Sequence, residues 1–171
     1  MMAAQARESI LTPARGCETP MLSSKAKYAL RAVVFLAKTY SNTPWTLASD
    51  IATTQDLPKK FLEAILVELR DHGIVDSRRG RYGGYRLTRP PGRIKVGDVI
   101  RVIDGPLALT PCSSRTQYGV CADCVDPVIC ALRPVLQEAR DAVAGVLDNC
   151  SLAQLAEGPD TKPSPARKAV A

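Results

Sequence analysis

A mostly α-helical fold with one small β-hairpin, followed by a long C-terminal helix, is predicted by three features of this 171-residue sequence. Apolar residues recur at helical spacing in three successive segments between Ser24 and Gly73. A turn of arginines and glycines, RRGRYGG, then separates two short strand-like runs. Beyond a cysteine-rich stretch, an apolar stripe advances in alternate steps of three and four residues from Ile129 to Cys150. The i, i+3, i+4 pattern puts side chains on one helix face, and the alternating step is that of a coiled-coil seam.

In the first helix, Tyr28, Ala29, Ala32, Val33, Leu36, Ala37 and Tyr40 share a face, and Ser23 or Ser24 can cap its start. Asn42–Pro44 breaks it, and a short second helix starting at Thr46 carries Leu47, Ala48, Ile51 and Ala52. Pro58 falls in the first turn of a third helix, where its missing N–H costs nothing. That helix is expected to bury Phe61, Leu62, Ile65, Leu66 and Leu69 and to end at Gly73. Lys59, Lys60, Glu63 and Ala64 are left on its other side, near the N-terminal end. Ile74–Ser77 and Tyr85–Thr88 read as strands, with Gly80, Gly83 and Gly84 permitting the positive φ angles of a tight turn. A helix over 96–103 packs back through Val96, Val99, Ile100 and Ile103. The final stripe comprises Ile129, Leu132, Leu136, Ala139, Val143, Val146 and Cys150, and Pro134 requires that its helix kink or begin near Arg133. The stripe can pack on its own domain or pair with a second copy. Pairing is favoured because the N-terminal half already has a core.

Helix, short helix, basic helix and basic hairpin, in that order, describe a winged helix-turn-helix. In that geometry Lys59, Lys60, Glu63 and Ala64 face base edges in the major groove, while Arg78, Arg79, Arg81 and Tyr82 belong to the wing. Arg79 and Arg81, at the wing tip, are placed to reach phosphates or a narrow minor groove. Charge agrees with this. Between Pro58 and Arg101 eleven Lys/Arg face five acids, an excess equal to the net +6 of the whole chain. So local an excess is the footprint of a phosphate-backbone binder, the alternative being a solvated basic face. Double-stranded DNA is the expected partner.

Four of the six cysteines, Cys112, Cys121, Cys124 and Cys130, fall in one short Gly/Pro/Asp-bearing stretch. Thiolates clustered on such a loop can hold a soft metal ion or an iron–sulfur cluster. Four thiolates suit [2Fe–2S], [4Fe–4S] or zinc, and a metal-free disulfide between Cys121 and Cys124 or direct thiol oxidation is also open. With 46% apolar and 23% charged residues the composition suits a globular protein. No apolar run approaches the roughly 18 residues of a membrane span, and residues 1–20 lack the apolar core of a secretory signal. A cytoplasmic location, where thiols stay reduced, is therefore expected. With one histidine and no nucleophile–base pairing to argue from, the chain is not expected to be an enzyme. The CADC pair lies in a loop before a helix, the wrong context for a thiol–disulfide oxidoreductase.

The segments MLSSKAKYALRAVVFLA, LASDIATTQDLPKKFLEAILVELRDHGIV and RRGRYGGYRLTRPPGRIKVGDVIRVIDGP together resemble the Rrf2 family of bacterial winged-helix regulators, over Met21 to about Glu157. The resemblance implies a homodimer on an imperfect palindrome, with the long C-terminal helices crossed between subunits. It places Lys59, Lys60, Glu63 and Ala64 toward DNA, and it makes Arg79 the wing residue entering the minor groove. Ala64 departs from the glutamine of cluster-binding members. Those members carry three cysteines, the last two usually separated by five residues, as Cys124 and Cys130 are here. Cys112 lies further away than usual and Cys121 is additional. Arg133 stands where a histidine ligand is implied, and SSKAKY offers lysine where other members offer an aspartate. Because guanidinium stays protonated and cannot ligate, Cys121 is the replacement.

The expected organisation is an extension over 1–20 (disordered, with Met21 a possible true start) and a winged helix-turn-helix over 21–104. A cysteine-rich sensor loop over 105–131, a dimerisation helix and cap over 132–157, and a disordered tail over 158–171 follow. The expected function is transcriptional repression or activation, with operator affinity switched at the Cys112–Cys130 loop.

Overall fold

The computed structural model describes residues 22–43, 45–80 and 82–158. The extension over 1–20, Met21, Arg81 and the tail beyond Gly158 lie outside the described residues. Among the described residues six α-helices and one hairpin follow in the order α1 (Ser24–Thr39), α2 (Ala48–Gln55), α3 (Lys59–Asp71), β1 (Val75–Arg78), β2 (Gly84–Leu87), α4 (Val96–Asp104), α5 (Leu132–Leu147) and α6 (Leu152–Glu157). The fold is a winged helix-turn-helix extended by the long helix α5.

Helix α1 is the centre of the core. Ala26, Ala29, Ala32 and Val33 are completely shielded, and their small side chains let α3, α4 and α6 approach closely. Ser23, not Ser24, is the cap: its hydroxyl accepts from the Ala26 N–H at 3.0 Å. The backbone N–H of Ser23 donates to Asp104 at the end of α4 at 2.9 Å, tying the two helix ends together. Helix α3 buries Leu62, Ile65, Leu66 and Leu69 on this core. Phe61 does not join them. It stays 42% exposed, edge-on to Tyr28 with ring centroids 5.8 Å apart. Gly73 ends the helix at φ +71°, a conformation that favours glycine.

The second helix begins two residues later than its spacing predicts, because Thr46 is used elsewhere. Its N–H and carbonyl exchange hydrogen bonds with Tyr85 at 3.0 and 2.8 Å, adding a one-residue rung to the hairpin edge. The strands pair antiparallel, with Val75 opposite Leu87 and Arg78 opposite Gly84. Gly84 has φ +142°, and a Cβ there would sit 2.4 Å from the Thr46 carbonyl oxygen. Gly80 also has positive φ. Gly83 does not; it is needed for space, since a Cβ would come within 2.1 Å of the Arg78 carbonyl oxygen.

After α4 the chain leaves the core and then returns. The Val96 N–H donates to the Cys150 carbonyl at 3.0 Å and the Leu152 N–H to the Ile94 carbonyl at 2.9 Å. Helix α6, closed by a Ser151–Gln154 capping box, then lays the fully buried Leu152 into the core beside α1. Helix α5 itself starts at Leu132, so Pro134 lies in its first turn, and it ends at Leu147. Cys150 therefore falls past the helix and outside its seam. No residue of α5 is fully buried within the single chain.

Gly84→Ala combines a left-handed φ with a backbone overlap, so it is expected to destabilise the winged domain by more than about 1 kcal/mol. Urea denaturation followed by circular dichroism measures this, with Gly92→Ala, at an open position, as the control that leaves stability nearly unchanged.

Candidate nucleic-acid interface and cysteine loop

Helix α3 is two-faced. Opposite its buried leucines, Lys59, Lys60 and Ala64 are exposed and Glu63 is half-buried. Lys59 approaches the Glu63 carboxylate at 3.9 Å, a loose surface pair that leaves the lysine available to phosphate. On the wing, Arg78, Arg79 and Tyr82 are all exposed, Tyr82 to 80%. The structure thus brings the α3 set and the wing set to the surface, with Arg81 alone outside the described residues.

Two residues that the sequence did not single out brace the wing. The Arg86 guanidinium lies over the Trp45 ring at 4.4 Å from its centroid and pairs across the strands with Asp76 at 3.1 Å. The lone tryptophan, one residue before Thr46, was the available signal. Its significance depended on knowing that Thr46 joins the hairpin.

The cysteine loop opens with a single 3-10 turn, Pro111–Ser113. Thr110 and Ser113 close it: the Ser113 hydroxyl donates to the Thr110 carbonyl at 2.9 Å. Cys112 is only 4% exposed, whereas Cys121, Cys124 and Cys130 are half-buried, and none of these four thiols is in a disulfide. Cys112 Sγ lies 3.4 Å from Thr110 Oγ1. That hydrogen bond, a second with the Cys121 thiol and the charge of Arg133 hold the Cys112 thiol below its ordinary value, against the opposing effect of burial. For Cys121, a bond from the Cys112 backbone favours the thiolate, but the Cys112 thiol, burial and the charge of Cys124 together push it up. Burial, then the charges of Cys130 and Cys112, push the Cys124 thiol up. Each of the four thiols thus influences at least one other.

Among the described residues, however, no three Cys, His, Asp or Glu side chains form a group ready to hold a metal ion. The donor set fits a thiolate-bound group in its chemistry, four free sulfurs on one loop. It does not form a closed cage. Arg133 is no ligand: its guanidinium lies 5.6 Å from the Tyr118 ring centroid and donates to the Pro127 carbonyl at 3.3 Å.

Charged pairs anchor α5 to its surroundings. Arg101 of α4 grips Asp148, just past α5, through two hydrogen bonds of 2.7 and 2.8 Å. Gly97 makes this possible, because a Cβ there would lie 2.0 Å from an Asp148 carboxylate oxygen.

A winged helix-turn-helix with an exposed basic helix and wing defines a class of DNA-binding proteins. Within that class, the family model for Rrf2, described as an iron-dependent transcriptional regulator, matches residues 22–158, and the chain belongs to the Rrf2 family. An rrf2-like HTH-type transcriptional regulator of Rhodobacter capsulatus is 41% identical over 134 residues, covering 77% of this chain and 89% of the relative. The solved structure of CymR, the global cysteine regulator of Bacillus subtilis, superposes with a TM-score of 0.66 at 37% identity, over 81% of this chain and 98% of that one. The structure of T. potens IscR gives 0.61 at 28% identity, over 85% and 93%. These relatives are regulators rather than enzymes, and no helix among the described residues is long and apolar enough to cross a membrane.

The Arg101 hydrogen bonds hold the Asp148 carboxyl below the usual carboxylate range, against a burial penalty. A carboxylate whose folded value is depressed stabilises the fold above its unfolded pKa, and that contribution is lost as pH falls through the folded value. Asp148→Asn is therefore expected to be less stable than wild type at neutral pH. The difference in thermal midpoint should shrink toward zero as the pH is lowered through and below the carboxylate range, and a pH series of melting curves reads it directly.

Proposed function

We propose that this chain is a transcriptional regulator that binds a palindromic operator in double-stranded DNA as a homodimer, with an affinity that follows the state of Cys112, Cys121, Cys124 and Cys130. The observation that carries the reading is the shared exposure of the α3 face (Lys59, Lys60, Glu63, Ala64) and the wing residues Arg78, Arg79 and Tyr82 on a winged helix-turn-helix. Helix α3 enters the major groove, and the wing reaches the adjacent backbone or minor groove, with Arg81 completing the wing set. Pairing through α5 accounts for its exposed apolar positions, Leu132 at 69% and Val146 at 70%. A two-fold dimer then places its two α3 helices on matching half-sites, so the operator is a palindrome. In chain order, 21–104 reads DNA, 105–131 senses and 132–157 pairs and caps. A DNA partner supports a cytoplasmic location, where thiols stay reduced.

An iron–sulfur cluster, [2Fe–2S] or [4Fe–4S], held by Cys112, Cys121, Cys124 and Cys130 is the first reading of the loop. The family's iron dependence supports it, and so do the four disulfide-free thiols. When bound, such a cluster supplies a centre that responds to iron supply or oxidation. The contact of the buried, disulfide-free Cys112 thiol with the Thr110 hydroxyl, which holds the thiol below its ordinary value, favours a second reading, in which the loop thiols are sensed directly and without metal, their oxidation by a peroxide-type oxidant being the signal.

Absorbance of protein purified without oxygen, with iron, sulfide and zinc quantified on the same sample, decides between them. Matching iron and sulfide establish the cluster; a metal-free sample whose operator affinity changes on oxidation establishes thiol sensing. Operator affinity that is equal in all forms sinks both. Cys130→Ala is expected to abolish metal binding with helix content kept, because the winged core does not use the loop. Arg79→Ala is expected to weaken operator binding by about 1–3 kcal/mol in titrations at fixed salt.

A further inference from the structure

The contact between the cysteine loop and α5 is concentrated in the residues that directly follow Cys112. Arg140, at the middle of α5, has a side chain only 10% exposed on a helix none of whose residues is fully buried. Its guanidinium donates to the backbone carbonyl of Ser113 and pairs with Asp141 at 2.7 Å. Asp141 in turn accepts from Arg115 at 3.0 Å. One turn of α5 therefore holds loop residues 113 and 115 at once. Ser113 is completely shielded and is bonded to Thr110, whose hydroxyl also contacts the Cys112 sulfur. Arg140 and Asp141 line a cleft of about 330 Å³ between α4, the loop and α5, together with Arg115 and the Arg101–Asp148 pair. Asp141 is charged in this setting, since the hydrogen bond from Arg140 and the charges of Arg115 and Arg140 hold its carboxyl low.

We propose that Arg140, braced by Asp141, is the positioning residue that couples the state of Cys112 to helix α5. The proposal rests on the sensing reading above and names the contact that transmits the signal. A change at Cys112 that breaks its contact with Thr110 is passed to the short 3-10 turn of residues 111–113, which Thr110 and Ser113 close. The Ser113 carbonyl belongs to that turn, and a shielded carbonyl that loses its donor is left unpaired, so the turn and Arg140 move together. Helix α5 carries the subunit contacts, and its displacement alters the spacing of the paired α3 helices.

The test uses the full chain, metal-free and reduced, with iodoacetamide as the thiol probe and peptide mass mapping to follow each cysteine. Arg140→Gln is expected to speed capping of Cys112 on the order of tenfold, leaving Cys150 capping and helix content unchanged. Arg140→Lys, which keeps a cationic donor for Ser113, returns most of the protection. Operator affinity is then compared before and after complete capping of the loop cysteines. Wild type is expected to change on the order of tenfold, within the usual range of allosteric coupling. Arg140→Gln should bind operator equally in both states. An unchanged Cys112 rate, or a full affinity change retained in Arg140→Gln, overturns the proposal. A wild-type affinity indifferent to capping overturns the sensing reading instead, and faster Cys112 capping in Arg140→Gln then marks a clamp that carries no signal.

Discussion

The backbone bridge between Lys95 and Ser151 is the constraint on which the rest of the molecule depends. It joins the entry of α4 to the entry of α6, so the chain that leaves the core after α4 is brought back at Ser151 to the base of that helix. The core closes without that excursion: α1, α3, α4 and α6 bury one another's apolar faces. The cysteine loop and α5 are thus attached to a finished domain rather than woven into it. Such an attachment can change its conformation at little cost to the fold, which is the property a sensing element requires.

What anchors the excursion is electrostatic rather than apolar. Arg101 with Asp148 holds its end, and Arg140 with Asp141 and Arg115 holds its middle. Directional charged contacts fix a geometry but contribute modestly when solvent reaches them. Apolar packing would lock α5 to its own domain. The observed arrangement leaves Leu132, Val135 and Val146 of α5 exposed, turns Ala139, Val143 and Leu147 toward a cleft beside α4, and uses charge to set the angle.

The exposed face of α3 was largely legible from sequence, because the helix obeys a simple rule. Four buried positions at helical spacing determine which residues point away, so Lys59, Lys60, Glu63 and Ala64 followed once the period was known. The wing was legible from its glycines and arginines, though the reason for Gly83 was not. Its role is to admit the Arg78 carbonyl, a contact between backbone atoms that no side-chain pattern encodes. Phe61 was misplaced inward because composition reports apolarity, whereas its position at the margin of the face leaves it edge-on to Tyr28. Thr46 was assigned to a helix because its pairing with Tyr85 joins residues far apart in the chain.

By itself, then, the sequence determined the order of elements, the exposed face of α3 and the set of four thiols, since each rests on local spacing and residue chemistry. Only the tertiary structure decided where α5 stops, that α6 returns to the core beside α1, and that Ser113 is held by Arg140. These are contacts between distant segments. They depend on how the core closes, and closure is a property of the whole packed chain that no window of sequence contains.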